Sequence, residues 1–110
     1  MTKQEMFMQE ALIEARKAFL KNEVPVGCVI VLNDKIISRA HNQRETLNST
    51  LAHAELKAIE KANKELGSWR LEECEIYVTL EPCAMCAGAI IQARMKHLIY
   101  GATDVKSGAF

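Results

Sequence analysis

Apolar positions recur with distinct periods along the chain, and each period predicts an element. Met8, Leu12, Ala15 and Phe19 fall at i, i+4, i+7 and i+11, with Ala11 and Ala18 widening the stripe. This is the one-sided pattern of an amphipathic helix. Thr2-Lys3-Gln4-Glu5 has the spacing of a capping box, so the helix is predicted to run from there to about Lys21. Asn22 is a suitable stop, and Pro25 forbids continuation. Val26 to Leu32 is then nearly all apolar and β-branched, which predicts a strand buried on both faces. Asn33-Asp34 is a turn signal, and Lys35 to Ala40 is predicted as the second strand of a hairpin. His41 to Ser49 is polar and aperiodic, a loop.

In the second half, Thr50 is a plausible N-cap for a helix reaching Leu66. Leu56, Ile59, Asn63 and Leu66 form its stripe, Ala62 broadens it, and Gly67 is a suitable terminator. Glu75 to Leu80 is strand-like. Pro82 stands where a helix would begin, Ala84 to Arg94 is a short apolar helix, and Lys96 to Gly101 is a last strand. That final strand–helix–strand unit is expected to be parallel and right-handed. There is no internal repeat and no linker.

A chain of 110 residues with this alternation is expected to be one α/β domain. No apolar run approaches the ~18 residues of a membrane span. The N-terminus lacks the apolar core of a signal peptide, so a cytoplasmic location is expected. In that setting the four cysteines point to metal or thiol chemistry rather than disulfides. Formal net charge is zero, with 14 basic and 14 acidic residues. Composition therefore gives no support to non-specific nucleic-acid binding. A small local excess of base around Arg94, Lys96, His97 and Lys106 fits an ordinary solvated face better, by charge alone, than a polynucleotide partner.

The chemistry concentrates in His53-Ala54-Glu55 and Pro82-Cys83-Ala84-Met85-Cys86. One imidazole and two thiolates make a three-ligand zinc set, and three protein ligands leave the fourth position open, as catalytic zinc requires. On a helix, Cys83 and Cys86 share one face, and a helix N-terminus favours thiolate over thiol. Zn²⁺ with two thiolates and a neutral imidazole is formally neutral, so a water in the open position still needs a base. Glu55 is the candidate. On an ideal helix its side chain diverges from that of His53 by about 200°, so the two can line one cavity but not both face one ion squarely. Other readings stay open on these residues alone. The cysteines could be half of a structural, non-catalytic zinc module, with Cys28, His41, Cys74 or His97 completing it, or a redox pair. Glu55 could be a first-turn acid favouring the helix dipole, and Asn42 a turn former bonding its own backbone.

The combination H-x-E…P-C-x-x-C is the recognised signature of zinc deaminases, tRNA-type adenosine deaminases among them. Further stretches carry the likeness: Glu23-Val24-Pro25-Val26-Gly27, Thr50 to Glu55, Tyr77 to Ile90, and Tyr100 to Ala109. Together they resemble the bacterial tRNA-specific adenosine deaminases of the cytidine/deoxycytidylate deaminase superfamily. The first ligand is His, where free-cytidine deaminases use Cys.

The resemblance implies a three-layer α/β/α fold with a central mixed sheet of five strands, working as a homodimer. It implies hydrolytic deamination of adenosine to inosine at the wobble position of a tRNA anticodon. By motif, His53, Cys83 and Cys86 bind Zn²⁺, and Glu55 moves protons from water to the ring nitrogen and the leaving amine. Asn42 and the Ala54 backbone N–H contact the purine, and Val26 and Leu80 wall its pocket. The family continues past the point matching Phe110 with another strand and helices, so the chain is expected to be one deaminase domain, 1–110, short of C-terminal elements. Thr103 stands where an Arg is common, which weakens any RNA contact there. The alternative in the same superfamily is a deaminase of a free base or nucleotide, guanine or a pyrimidine, using the same metal set.

Overall fold

The computed structural model describes residues 1–110. Helix α1 (Lys3–Leu20) leads into strand β1 (Gly27–Leu32), β2 (Lys35–His41), helix α2 (Ala54–Leu66), β3 (Cys74–Leu80), α3 (Ala84–Gln92) and β4 (His97–Ala102). The sheet runs β2-β1-β3-β4, with β1 antiparallel to both neighbours and β3 parallel to β4. It is the expected mixed sheet with four strands rather than five. Asn33 and Asp34 both take positive φ, 51° and 63°, and join β1 to β2 as a two-residue turn whose twist suits a hairpin.

The strands alternate between two apolar layers. Cys28 and Ile30 of β1 and Ile76 and Val78 of β3 face α2 and α3, packing with Ala58, Ile59, Ala62 and Ile90. Val29, Val31 and Tyr77 face the other way, against Phe7 and Met8 of α1. This is the predicted three-layer arrangement, and β1 is buried on both faces as its unbroken apolar run requires.

Both long helices bury part of the expected stripe, Ala11, Ala15 and Ala18 in α1 and Ile59 and Ala62 in α2, but leave some of its large apolar residues outside. Thr2 and Glu5 do form the reciprocal capping box of α1, and Asn22 ends it at φ 61°. Its buried residues, however, are Ala11, Glu14, Ala15 and Ala18, while Leu12 and Phe19 are exposed. The cause is close approach: a Cβ on Gly27 would overlap the Ala11 carbonyl oxygen and the Ala15 nitrogen, so only small residues fit the contact. Glu14 is tolerated there because Arg39 Nε (2.8 Å), Lys17 Nζ (2.7 Å) and His41 Nδ1 (3.3 Å) surround its carboxylate. In α2 the buried residues are Ala54, Glu55, Ala58, Ile59 and Ala62, while Leu66 is exposed and Leu56 half-buried.

Helix α2 also starts later than the Thr50 cap predicts. Its N-cap is His53, at φ −75° and ψ 149°. Residues 43–52 form turns instead, closed by Gln43 N–H to the Ala52 carbonyl (2.9 Å). Glu23, buried at the end of the α1–β1 connection, pins this loop by accepting from Glu45 N (3.0 Å) and from Thr46 N and Oγ1 (2.6 Å each). Pro82, likewise, lies just outside α3 rather than at its first residue, because Cys83 is the N-cap. Gly67 ends α2 in the left-handed conformation, φ 62°, as expected.

Candidate metal centre and substrate pocket

The N-termini of α2 and α3 meet on one side of the sheet, and the metal-donor residues are placed there by their capping positions. His53 is the N-cap of α2 and Cys83 the N-cap of α3, and neither side chain bonds its own helix. Ser, Thr, Asp or Asn normally fill this position and cap the free N–H groups. Here both side chains turn toward each other instead. Cys86, fully buried one turn into α3, completes the group. Cys86 Sγ and Cys83 Sγ lie 3.5 and 3.8 Å from His53 Nδ1, and the three donor atoms are all within 4.8 Å of one another.

That spacing can be tested against a metal. Tetrahedral zinc with Zn–S about 2.3 Å and Zn–N about 2.0–2.1 Å requires S···N separations of roughly 3.5–3.6 Å. The donor set therefore fits zinc in both atom type and distance. Cys28, His41, Cys74 and His97 stand outside the group. Cys28 and Cys74 are packed in the apolar core, His41 bonds Glu14, and His97 bonds Glu75 at 2.8 Å. Three protein donors converge, and no fourth completes a closed structural site.

The electrostatics suit the same purpose. Burial, and then the nearby Arg44 charge, hold His53 below its ordinary pKa, so it is the neutral imidazole a metal needs. Burial, followed by the Glu55 carboxylate and Cys83, pushes the Cys86 thiol far up. A divalent cation among the donors inverts that logic and favours the thiolate. Glu55 itself is 4% exposed, and burial raises its pKa above the ordinary carboxylate value, which eases the uptake of a proton. The divergence expected between His53 and Glu55 does not arise. His53 is extended rather than helical, so the helical angle between them does not apply, and both line one pocket.

The pocket is lined by Val26, Asn42, His53, Ala54, Glu55, Leu80 and Cys83, together with Val24, Arg44, Glu81, Asp104 and Ser107. Every residue that the motifs singled out lines it except Cys86, which is fully buried with its Sγ 3.5 Å from the pocket-lining His53. Ala54 is the first residue of α2, so its N–H has no acceptor within the helix. Asn42 is buried, donating from Nδ2 to the Val24 carbonyl (3.3 Å) and accepting at Oδ1 from Arg44 N (3.2 Å). The turn-forming role is thus real, but an amide has two donors and two lone pairs, so one of each stays free for a purine edge.

Five of the lining residues were not assigned a role from the sequence. Asp104 and Ser107 carried a local signal: an acid three residues ahead of a serine favours a closed turn, and Asp104 does accept from Lys106 N, Ser107 N and Ser107 Oγ. Glu81 was marked only by lying two residues before a metal donor. Val24 and Arg44 carried no local signal, since loop packing alone brings them in. Of the basic residues along 94–106, Arg94 lies over the Trp69 ring at 6.0 Å, and Lys106 lies between the pocket-lining Asp104 and Ser107 in sequence without lining the pocket itself.

Comparison with known proteins agrees with this geometry. Residues 1–102 match the cytidine and deoxycytidylate deaminase zinc-binding region. The chain is 54% identical over 108 residues to a tRNA-specific adenosine deaminase of Bacillus subtilis, covering 98% of this chain and 67% of that protein. It spans about two thirds of the length of such curated relatives. A structure from a study of A-to-I editing by tRNA:A34 deaminases at the wobble position of transfer RNA superimposes with a TM-score of 0.93 at 50% identity, covering 96% of this chain and 76% of that one. A guanine deaminase from Bacillus subtilis superimposes at 0.87 with 41% identity, covering 90% and 64%. The match over nearly the whole chain, on the residues that build the donor group, means that the chain belongs to the cytidine and deoxycytidylate deaminase zinc-binding family.

Proposed function

We propose that this chain is a zinc-dependent hydrolytic deaminase of adenosine in RNA, converting the wobble adenosine of a tRNA anticodon to inosine. The observation that carries the reading is one pocket holding both halves of the task. A three-donor metal group and a buried carboxylate form its floor, and an amide side chain and a free helix N–H form its wall.

Zinc held by His53, Cys83 and Cys86 would supply Lewis acidity toward water. The chain's own residues do the rest. Asn42 offers one donor and one acceptor to the purine edge, and the Ala54 N–H a further donor. Val26 and Leu80 enclose the ring and exclude bulk water. Glu55 takes a proton from water and delivers it to the ring nitrogen as the water oxygen adds to C6; it then takes the proton of the new C6 hydroxyl and gives it to the 6-amino group as the C6–N bond breaks, so that water and adenosine become inosine and ammonia. A base in a single-stranded loop is unstacked at small cost and can leave the strand to enter such a pocket. The relatives' activity favours tRNA over other RNA.

We place residues 1–110 as a single deaminase domain working as a homodimer in the cytoplasm. No helix is long and apolar enough to cross a membrane.

The test is incubation of the zinc-loaded protein with an anticodon stem-loop RNA and measurement of inosine. Formation of inosine at the wobble position is expected, and none would overturn the proposal. The similarity to guanine deaminase supports a second reading, deamination of a free base. Ammonia released from guanine, with no turnover of the RNA, would favour it.

A further inference from the structure

Glu81 is a buried acid that the deamination chemistry does not use. It is 3% exposed, two residues from Cys83, at the end of β3. No cation pairs with it; backbone amides hold its carboxylate. Oε1 accepts from Asp104 N (3.1 Å) and Oε2 from Phe110 N (2.5 Å). The two bonds grip both ends of the segment 104–110, which contributes Asp104 and Ser107 to the lining of the pocket.

Other contacts converge on the same clasp. A Cβ on Gly108 would overlap the Glu81 carboxyl group and sit 2.6 Å from the Asp104 carbonyl oxygen, so a residue without a side chain lets the segment close around the carboxylate. Gly108 pairs with Cys83 in an isolated bridge, and Ala109 N donates to the Pro82 carbonyl at 3.0 Å. The Phe110 ring stacks on Tyr100 at 6.3 Å between centroids. Within the segment, Asp104 ties down Lys106 and Ser107 through its own side chain. The result is an ordered arch in which one carboxylate joins the two ends and backbone pairing to Pro82 and Cys83 supports the middle.

We infer that Glu81 is a positioning residue: by clasping both ends of segment 104–110 it sets the outer wall of the pocket and, through it, the affinity for the nucleotides around the reacting base. The part of this inference that concerns substrate rests on the RNA deaminase reading; the clasp itself does not. Charge-bearing hydrogen bonds of this kind are worth about 1.5–3 kcal/mol, which corresponds to a tenfold effect or more when one is lost.

The experiment uses the zinc-loaded protein and two variants. Glu81→Gln keeps the shape but turns an N–H toward one of the two backbone donors. Gly108→Ala leaves the carboxylate intact and forces the segment away from it, and it serves where Glu81→Gln fails to fold. Amide hydrogen exchange is read first, because it needs no activity. Exchange at Asp104 and Phe110 is expected to quicken about tenfold in both variants, with one zinc per chain retained. In turnover of the stem-loop RNA, KM should rise about tenfold and kcat change less than KM does. Unaltered exchange at both amides, or loss of zinc from Glu81→Gln in place of loosened amides, would overturn the clasp. Loosened amides with an unaltered KM would overturn its role in substrate affinity. Absence of RNA turnover in the unmodified protein would count against the deaminase reading and leave the exchange result standing.

Discussion

Cys86 Sγ lies 3.5 Å from His53 Nδ1, although the two residues belong to different helices and are separated by a whole strand. The contact exists because α2 and α3 pack on the same face of the sheet with their N-termini together. Each helix gives up its ordinary side-chain cap at that end, since His53 and Cys83 occupy the N-cap positions without capping. Their first-turn N–H groups and positive dipole ends then face the donor group, which suits thiolates.

The metal prediction follows from that geometry. The purified chain should hold one zinc. X-ray absorption should find two sulfurs at about 2.3 Å, one nitrogen at about 2.0–2.1 Å and one further light atom. Replacing Cys86 by Ala should abolish tight binding. A shell made entirely of protein ligands would contradict an open catalytic site.

Glu55→Gln separates chemistry from metal binding. The variant should keep its zinc, since the carboxylate is not among the donors, and lose turnover by about 10²–10⁴-fold, the usual contribution of a positioned acid–base group. Turnover near that of the unmodified protein would remove Glu55 from proton transfer.

Asn42→Ala tests whether the amide reads the base or only shapes the loop. It gives up the bonds to Val24 and Arg44 as well as the free donor and acceptor. We expect kcat/KM on the RNA to fall about 10- to 100-fold, the worth of one or two hydrogen bonds, with zinc content unchanged. If kcat/KM holds and only the melting temperature drops, Asn42 is a turn former alone.

The pH dependence of stability should carry the mark of Glu14. Burial pushes its carboxyl up, but the bonds from Lys17, Arg39 and His41 outweigh burial and hold it below the ordinary value. A depressed carboxylate contributes stability that is present above the unfolded value, about 4.3 for Glu, and is lost as pH falls through the folded one. Glu14→Gln should therefore cost about 2 kcal/mol at neutral pH. That penalty should shrink as unfolding is measured below about pH 4. A penalty that stays constant across this range would show that packing, not charge, sets its worth.

Much of the molecule was legible along the chain. The hairpin at Asn33-Asp34, the capping box at Thr2 and Glu5, the strand buried on both faces and the stop at Gly67 are local, because turn chemistry and periodicity act over a few residues. The donor types, the acid beside them and the family likeness were also written in short motifs. The exact face each helix buries was legible only in part. Leu12, Phe19 and Leu66 belong to the apolar stripes yet stay exposed, while the sheet takes Ala11, Ala15 and Ala18 of α1, because its close approach to Gly27 leaves room only for small side chains, and Ala58, Ile59 and Ala62 of α2. Helix α2 starts after His53 and not at the Thr50 cap that the local pattern favours, because Glu23, distant in sequence, holds Glu45 and Thr46 in a turn and delays the helix. That delay is what makes His53 an extended N-cap and lets it share a cavity with Glu55. Thus the sequence by itself determined the elements and the ligand types, which depend on neighbours in the chain. Only the tertiary structure decided the convergence of three donors, the burial of Glu55 and the clasp at Glu81, since each is produced by groups that approach through packing.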